Sequence, residues 1–211
     1  MSEMPISIGQ DGWCKGVLCL HSEHFNERPK GEQVSLVVLH SISLPPGEFS
    51  TGAVEDLFLG CLDVKKDPRL ADLEGIRVSS HFLISREGRI TQFVSCNDRA
   101  WHAGLSSFLG RDNCNDFSVG IELEGTDCTA FESEQYASLV KLLTALSHRY
   151  PITAVVAHSD VAPGRKTDPG YGFDWERLER EKERFGNPTF PGIAASMMRA
   201  NRNARVEHTV V

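Results

Sequence analysis

Residues 34–40 form a short apolar run, Val34-Ser-Leu-Val-Val-Leu-His40, which is rich in β-branched and aliphatic side chains and ends in a histidine. A turn-forming sequence, Ser43-Leu-Pro-Pro-Gly47, stops the run. An apolar run of this length between turn residues predicts a buried strand. The fold must therefore provide an interior position in a sheet, with His40 at the C-terminal end of the strand.

Strand and helix patterns alternate along the rest of the chain. The strand patterns cover residues 80–85, 90–94, 117–124 and 152–157, and the helical patterns cover 53–62, 133–150 and 175–185. The first two strands flank a short Gly-containing connection, which predicts a hairpin. The interleaved order predicts an α/β (α+β) fold, a single domain in which helices flank a central mixed β-sheet.

The length of the chain predicts one domain with a tail. A chain of 211 residues can bury one substantial core but is short for two. The final segment contains Gly186, Pro188, Pro191 and Gly192 and few bulky apolar groups. We therefore expect a catalytic domain over residues 1–185 and a loosely docked or mobile tail over 186–211.

Composition excludes several classes of partner. A net charge of −7 gives no basic field for a nucleic acid. No apolar run approaches the roughly 18 residues that span a bilayer, and the N-terminus lacks the pattern of a signal peptide. We expect a cytoplasmic monomer without nucleic-acid or membrane partners. The six cysteines are expected to be free thiols, and none forms a C-x-x-C pair that would favour a thiolate zinc site.

Three residues suggest a metal site. His40 and His158 each end a predicted strand, and Asp168 lies in the following Pro- and Gly-rich loop. Strand ends converge at one edge of a sheet, and two imidazoles with a carboxylate suit a catalytic Zn²⁺ whose fourth position holds water. A single histidine at a strand end is more often an ordinary core or surface residue than a metal ligand. The ten-residue spacing between His158 and Asp168 requires a loop that folds back, which periodicity cannot establish.

Four sequence blocks occur in order along the chain. They are Val38-Leu-His-Ser-Ile-Ser-Leu-Pro-Pro-Gly-Glu-Phe49, Arg99-Ala-Trp-His-Ala-Gly104, Cys114-Asn-Asp-Phe-Ser-Val-Gly-Ile-Glu-Leu-Glu-Gly-Thr-Asp127 and Ala162-Pro-Gly-Arg-Lys-Thr-Asp-Pro-Gly170. These blocks closely resemble the AmpD-type 1,6-anhydro-N-acetylmuramyl-L-alanine amidases, which belong to the zinc-dependent N-acetylmuramoyl-L-alanine amidase family. That family shares its fold with the peptidoglycan recognition proteins. The resemblance extends over about residues 12–178.

The resemblance implies specific roles for five residues. It makes His40, His158 and Asp168 the zinc ligands, Glu122 the residue that activates water, and Lys166 the cation beside the developing oxyanion. Strand alternation alone does not distinguish Glu122 from Glu124, which lies on the same face. Without the resemblance, Glu122 could equally be an exposed strand carboxylate, and Lys166 would be taken for a solvated loop lysine.

Three further residues are candidates for contact with the substrate. The resemblance assigns Arg77 to a peptide carboxylate, which a guanidinium would bind with two hydrogen bonds. Trp101 offers a flat apolar face for a sugar or a peptide, or it belongs to the core. Ser41, another candidate contact, and Gly164 stand where similar proteins carry Asn and Glu. His81 and His102 are expected to be structural or to support the ligands.

The implied function is hydrolysis of the amide bond between (1,6-anhydro-)N-acetylmuramic acid and L-alanine in muropeptides during cytoplasmic peptidoglycan recycling. Two alternatives stay open at this point: an amidase that acts on the intact peptidoglycan of the cell wall, and a non-catalytic muropeptide sensor. We also hypothesise that residues 44–77 and 105–116 move to admit substrate.

Overall fold

A computed structural model describes residues 6–192 of the chain. The strands are β1 (Ser7–Ile8), β2 (Cys14–Lys15), β3 (Leu18–Cys19), β4 (Phe25–Glu27), β5 (Leu36–Ile42), β6 (Phe82–Ile84), β7 (Ile90–Gln92), β8 (Asp98–Ala100), β9 (Ser107–Phe108), β10 (Arg111–Asp112), β11 (Ser118–Glu124) and β12 (Ala154–Ala157). The α-helices are α1 (Ala53–Leu59), α2 (Ser133–Arg149), α3 (His158–Val161) and α4 (Trp175–Arg180). Short 3-10 helices occupy Val64–Lys66, Pro68–Leu73, Cys114–Asp116 and Lys182–Phe185.

The central sheet has six strands in the order β12-β5-β11-β6-β7-β3. Strands β12, β5, β11 and β6 run parallel to one another. The hairpin partner β7 runs antiparallel to β6, and β3 adds to β7 in parallel. The predicted single domain with a mixed sheet and flanking helices is confirmed.

Strand β5 is buried on both faces, which explains its continuous apolar run. Val37 and Leu39 face the large core on the side of α2. Leu36 and Val38 face a second core on the opposite side of the sheet. Because side chains alternate along a strand, His40 continues the face of Leu36 and Val38. The histidine therefore emerges at the sheet edge on the face away from α2.

Helix α2 follows its predicted spacing. Tyr136, Leu139, Val140, Leu143 and Leu146 are all buried against the sheet. The helix ends at Arg149, two residues before Pro151, because the residue before a proline is disfavoured in helical geometry. This packing fixes the sheet on one side and leaves the other side for the site.

Three regions differ from the sequence-based prediction. The last helix breaks at Glu181 and continues as a 3-10 turn. The stretch at 101–116, where the sequence shows no strand or helix pattern, contains the β9–β10 hairpin and a 3-10 turn. Short strands β1–β4 occupy the N-terminal part, where no pattern predicted structure. Strands of two or three residues are too short to show a period.

The predicted tail begins with a packed segment. Thr189 forms a bridge with Ala154 at the sheet edge, and Phe190 is buried in the large core. The packed chain thus extends beyond Phe185. The rest of the predicted tail, residues 193–211, lies outside the described residues, so its docking stays a prediction.

Two further observations concern the chain as a whole. None of the helices within residues 6–192 has the length and apolarity that a membrane crossing requires. All six cysteines are free thiols, and three of them, Cys14, Cys96 and Cys114, are buried.

Candidate metal centre and active site

Two histidines and an aspartate meet at the C-terminal edge of the parallel strands. His40 lies near the end of β5, His158 directly follows β12, and the loop after α3 brings Asp168 back to both. The Nδ1 atoms of the two histidines lie 2.9 Å apart. The Asp168 Oδ2 atom lies 3.2 Å from His40 Nδ1 and 3.1 Å from His158 Nδ1. The three predicted ligands therefore form one cluster that could hold a metal ion.

The second nitrogen of each imidazole has its own partner. His158 Nε2 contacts the Ala103 carbonyl oxygen at 3.2 Å, and His40 Nε2 contacts His102 Nδ1 at 3.0 Å. A carbonyl can only accept, so His158 Nε2 donates a proton to it, and in the neutral ring that binds metal Nδ1 presents its lone pair to Asp168. Two acceptors 3.1 Å apart in a buried site repel each other unless a cation lies between them. This arrangement fits a metal ion.

Burial keeps His40 neutral. It lowers the pKa of His40 to about 4, and the neighbouring His158 adds to the effect. A neutral imidazole and an ionised carboxylate are the forms that bind metal.

Glu122 lies beside His40 because parallel pairing of β11 with β5 places the two residues opposite each other. Its Oε1 atom is 4.0 Å from His40 Nδ1. Its Oε2 atom is buried and has no hydrogen-bond partner among the described residues. Burial raises the pKa of Glu122 well above its ordinary value; the charge of Asp168 adds to this rise and that of Lys166 opposes it. The carboxyl group is thus an unsatisfied proton acceptor next to the cluster.

Glu124 has a different environment, although it shares a strand face with Glu122. One carboxylate oxygen accepts the Ser50 backbone N–H, and the other accepts the Arg86 backbone N–H at 3.2 Å. Both oxygens are engaged in holding neighbouring loops. The structure therefore separates two carboxylates that alternation could not.

The cluster opens into a cavity of about 230 Å³. It is lined by His40, Ser41, Ile42, Phe58, Val78, Ser79, Trp101, His102, Glu122, His158, Lys166 and Asp168. Lys166 reaches it from an exposed loop. The adjacent Arg165 fixes that loop by donating hydrogen bonds to the carbonyl oxygens of Ala103 at 2.6 Å and Leu105 at 2.7 Å.

Trp101 forms a wall of the cavity and is held from outside by residues that the sequence did not reveal. Its indole Nε1–H donates to Asn26 Oδ1 at 2.6 Å. The His24 ring stacks on it at 6.1 Å between centroids, with 9° between the planes. The Arg77 guanidinium lies 5.5 Å from the ring centroid on the same indole, outside the cavity lining. His24 and Asn26 lie in a segment without periodicity, so no sequence signal marked them.

His81 is fully buried and His102 is partly buried, and both lie outside the donor cluster. Burial and the charge of Arg28 lower the pKa of His81 to about 3. Burial and the neighbouring histidines lower the pKa of His102 well below its ordinary value. Both rings are therefore neutral.

A family model described as N-acetylmuramoyl-L-alanine amidase matches residues 30–171, about two thirds of the chain and every residue of the cluster. The chain belongs to this amidase family. It is 52% identical over 161 residues to the 1,6-anhydro-N-acetylmuramyl-L-alanine amidase AmpD of Haemophilus influenzae, covering 75% of this chain and 88% of the relative. The family resemblance inferred from the four sequence blocks is confirmed.

Solved structures agree with the fold of this family member. A crystal structure of a selenomethionine AmpD derivative matches with a TM-score of 0.80 and 47% identity, over 82% of this chain and 97% of that one. The amidase AmiD from E. coli, in complex with the substrate anhydro-N-acetylmuramic acid-L-Ala-D-γ-Glu-L-Lys, matches with a TM-score of 0.54 and 28% identity. That match covers 89% of this chain and 68% of AmiD.

Proposed function

We propose that this protein is a zinc-dependent 1,6-anhydro-N-acetylmuramyl-L-alanine amidase. It hydrolyses the amide bond that joins the lactyl group of anhydro-N-acetylmuramic acid to L-alanine in muropeptides. The observation that supports this proposal most strongly is the cluster of His40, His158 and Asp168. Beside it lies the Glu122 carboxyl, whose Oε2 atom has no hydrogen-bond partner among the described residues. The 52% identity to the AmpD amidase of Haemophilus influenzae supports the choice of bond.

His40, His158 and Asp168 would hold the zinc. Two neutral imidazoles and one carboxylate leave a fourth position open, as catalytic zinc sites do. His158 Nδ1 and Asp168 Oδ2 face each other as acceptors, and a Zn²⁺ ion bound by both would remove their repulsion. Bound zinc supplies a water whose pKa falls towards about 7 and a Lewis acid for the scissile carbonyl.

Glu122 moves the proton. Its raised pKa makes it a strong enough base to take a proton from the attacking water and a strong enough acid to return the proton to the leaving amine. Lys166 stabilises the negative charge that develops on the carbonyl oxygen. It lines the same cavity as Glu122, so one substrate carbonyl can face both groups.

The substrate lies along the Trp101 wall. The apolar face of the indole packs against the sugar or the peptide stem, and Ser41 offers a hydroxyl at the cavity wall. Arg77, on the outer side of the indole, binds a carboxylate of the stem peptide. The AmiD relative supports this class of ligand, since its solved structure is a complex with the substrate anhydro-N-acetylmuramic acid-L-Ala-D-γ-Glu-L-Lys.

A competition experiment tests the proposed substrate. Zinc-loaded protein is incubated with an equal mixture of anhydro-muropeptide and ordinary muropeptide, and products are identified by mass spectrometry. We expect free stem peptide mainly from the anhydro substrate. Equal cleavage of both would indicate an amidase of intact peptidoglycan, and binding without cleavage would indicate a sensor.

The proposed setting is peptidoglycan recycling in the cytoplasm, with the protein acting as a monomer. The six free thiols support a reducing compartment. Cell fractionation tests the location, and sedimentation of the zinc-loaded protein tests the monomer. Recovery in the periplasm or a stable dimer would contradict these expectations.

A further inference from the structure

His102 lies directly behind a proposed zinc ligand. Its ring is partly buried and lines the cavity, and its Nδ1 atom is 3.0 Å from His40 Nε2. The ring rests against the backbone of Gly120, where an added Cβ would lie 2.4 Å from the ring Cγ. The glycine in β11 thus leaves the space that the ring occupies.

The hydrogen bonds around this ring have only one consistent direction. Ser118 Oγ contacts the Cys114 carbonyl oxygen at 2.6 Å, so the single hydroxyl proton of Ser118 is donated there. Toward His102 Nε2, 3.2 Å away, Ser118 Oγ can therefore only accept. His102 Nε2 carries a proton, and the Nδ1 of the neutral ring is left as an acceptor.

The same logic extends to His40. Because His102 Nδ1 accepts, His40 Nε2 must donate its proton across the 3.0 Å contact. His40 Nδ1 then presents its lone pair toward His158 and Asp168. The Cys114 carbonyl, through Ser118 and His102, thus places the proton of His40 on Nε2 and leaves Nδ1 unprotonated toward the cluster.

We propose that His102, oriented by Ser118, is a positioning residue that holds His40 in its metal-binding tautomer. The proposal rests on the zinc site of the proposed function and adds a relay of side chains to it. His158 needs no such relay, because the Ala103 carbonyl accepts its Nε2–H directly. Hydrogen-bond partners of this kind change metal affinity by about 10- to 100-fold.

Zinc affinity of matched variants tests the relay. The dissociation constant is measured by competition with a chelating indicator for the parent, Ser118→Ala and Ser80→Ala. Ser80 and Ser118 are equally buried, but Ser80 Oγ has no hydrogen-bond partner within the described part of the chain. We expect Ser118→Ala to weaken zinc binding by about tenfold or more and Ser80→Ala to leave it unchanged.

Two substitutions at His102 separate its chemistry from its volume. His102→Phe fills the space and removes the acceptor, so we expect zinc binding to weaken by about 10- to 100-fold. His102→Asn retains an acceptor near the position of Nδ1 and should recover much of the affinity. Equal zinc affinity in His102→Phe and the parent, or an equal loss in Ser80→Ala and Ser118→Ala, would overturn the proposal.

Imidazole NMR gives a readout that does not depend on catalysis. In ¹⁵N-labelled protein, with and without zinc, we expect a coupling across the hydrogen bond from His40 Nε2–H to His102 Nδ1. A proton on His102 Nδ1 would refute the relay. If the parent neither binds zinc nor cleaves muropeptide while this coupling is present, the proposed function fails and the relay stands. If the parent binds and cleaves but the coupling is absent, the relay alone fails.

Discussion

The proposed metal side and the substrate side of the cavity are built in different ways. His40 and Glu122 project from paired parallel strands in the interior of the sheet, and His158 directly follows the next strand. Trp101 follows β8, which pairs only with the three-residue β4, and side chains rather than a sheet hold its ring. The core of the fold thus fixes the proposed catalytic groups, whereas the proposed recognition surface lies at the periphery and can change without disturbing them.

The severest test of the metal side is His158→Ala. This substitution removes one of the three proposed metal ligands and leaves Asp168 with only His40 beside it. We therefore expect it to abolish zinc binding and reduce cleavage to background. Zinc content by mass spectrometry and peptide release measure this. His148→Ala, at the exposed end of α2, is the control. Undiminished cleavage in a zinc-free His158→Ala protein would refute the proposed mechanism.

Glu122→Gln should retain zinc but lose proton transfer. We expect kcat to fall by about 10²- to 10⁴-fold. Glu124→Gln makes the same chemical change two residues further along β11 and should retain near-parental kcat. A similar loss of kcat in both variants would show that the effect is structural.

Lys166→Met should lower kcat by about 10²- to 10³-fold, because the developing oxyanion loses a fixed positive charge. Zinc content should not change. Lys65→Met, in an exposed 3-10 turn, serves as the control for loss of a lysine. An effect on KM alone would show that Lys166 contributes to substrate binding and not to the chemical step.

A substitution on the substrate side of the cavity should change KM rather than kcat. Asn26→Leu removes the hydrogen bond that holds the Trp101 indole, and we expect KM to rise about tenfold while kcat and zinc affinity stay unchanged. Steady-state kinetics with anhydro-muropeptide measure the split. A fall in kcat equal to that of Lys166→Met would remove the distinction between the two sides.

The smallest predicted effect is on stability. The unfolded chain releases the Glu122 proton near pH 4.5, whereas the folded chain holds it to higher pH. The folded state therefore binds more protons, and the free energy of unfolding decreases as pH rises from 4.5 through the folded pKa. Without zinc, Glu122→Gln should be more stable than the parent at pH 8, and the difference should become smaller at acidic pH. Urea unfolding at both pH values measures this; a difference independent of pH would contradict it.

Sequence reasoning was accurate where a physical period exists. The apolar run of β5, the alternation of β11 and the one-sided spacing of α2 are local consequences of burial, and the structure confirms all three. The same patterns predicted His40 and His158 at strand ends; His158 directly follows β12, whereas β5 continues two residues beyond His40, to Ile42. These elements suffice to predict one edge of the sheet as the place for a site.

The remaining features depend on contacts between distant parts of the chain. Asp168 reaches His40 only because its loop folds back, and residues 128 positions apart leave no local signature of such a contact. The contact of Asn26 with Trp101 spans 75 positions. The roles of Glu122 and Lys166, and the movement of residues 44–77 and 105–116, stay predictions.

The Ala103 carbonyl oxygen accepts from both His158 and Arg165, and so joins a proposed ligand to the loop that carries Lys166. Every residue type has a backbone carbonyl, so a substitution at position 103 does not remove this acceptor. His40 relies on side chains that one base change can replace. The two histidines therefore differ in how sensitive their orientation is to mutation. The orientation of His158 depends on the path of the backbone, whereas that of His40 depends on the side chains of His102 and Ser118.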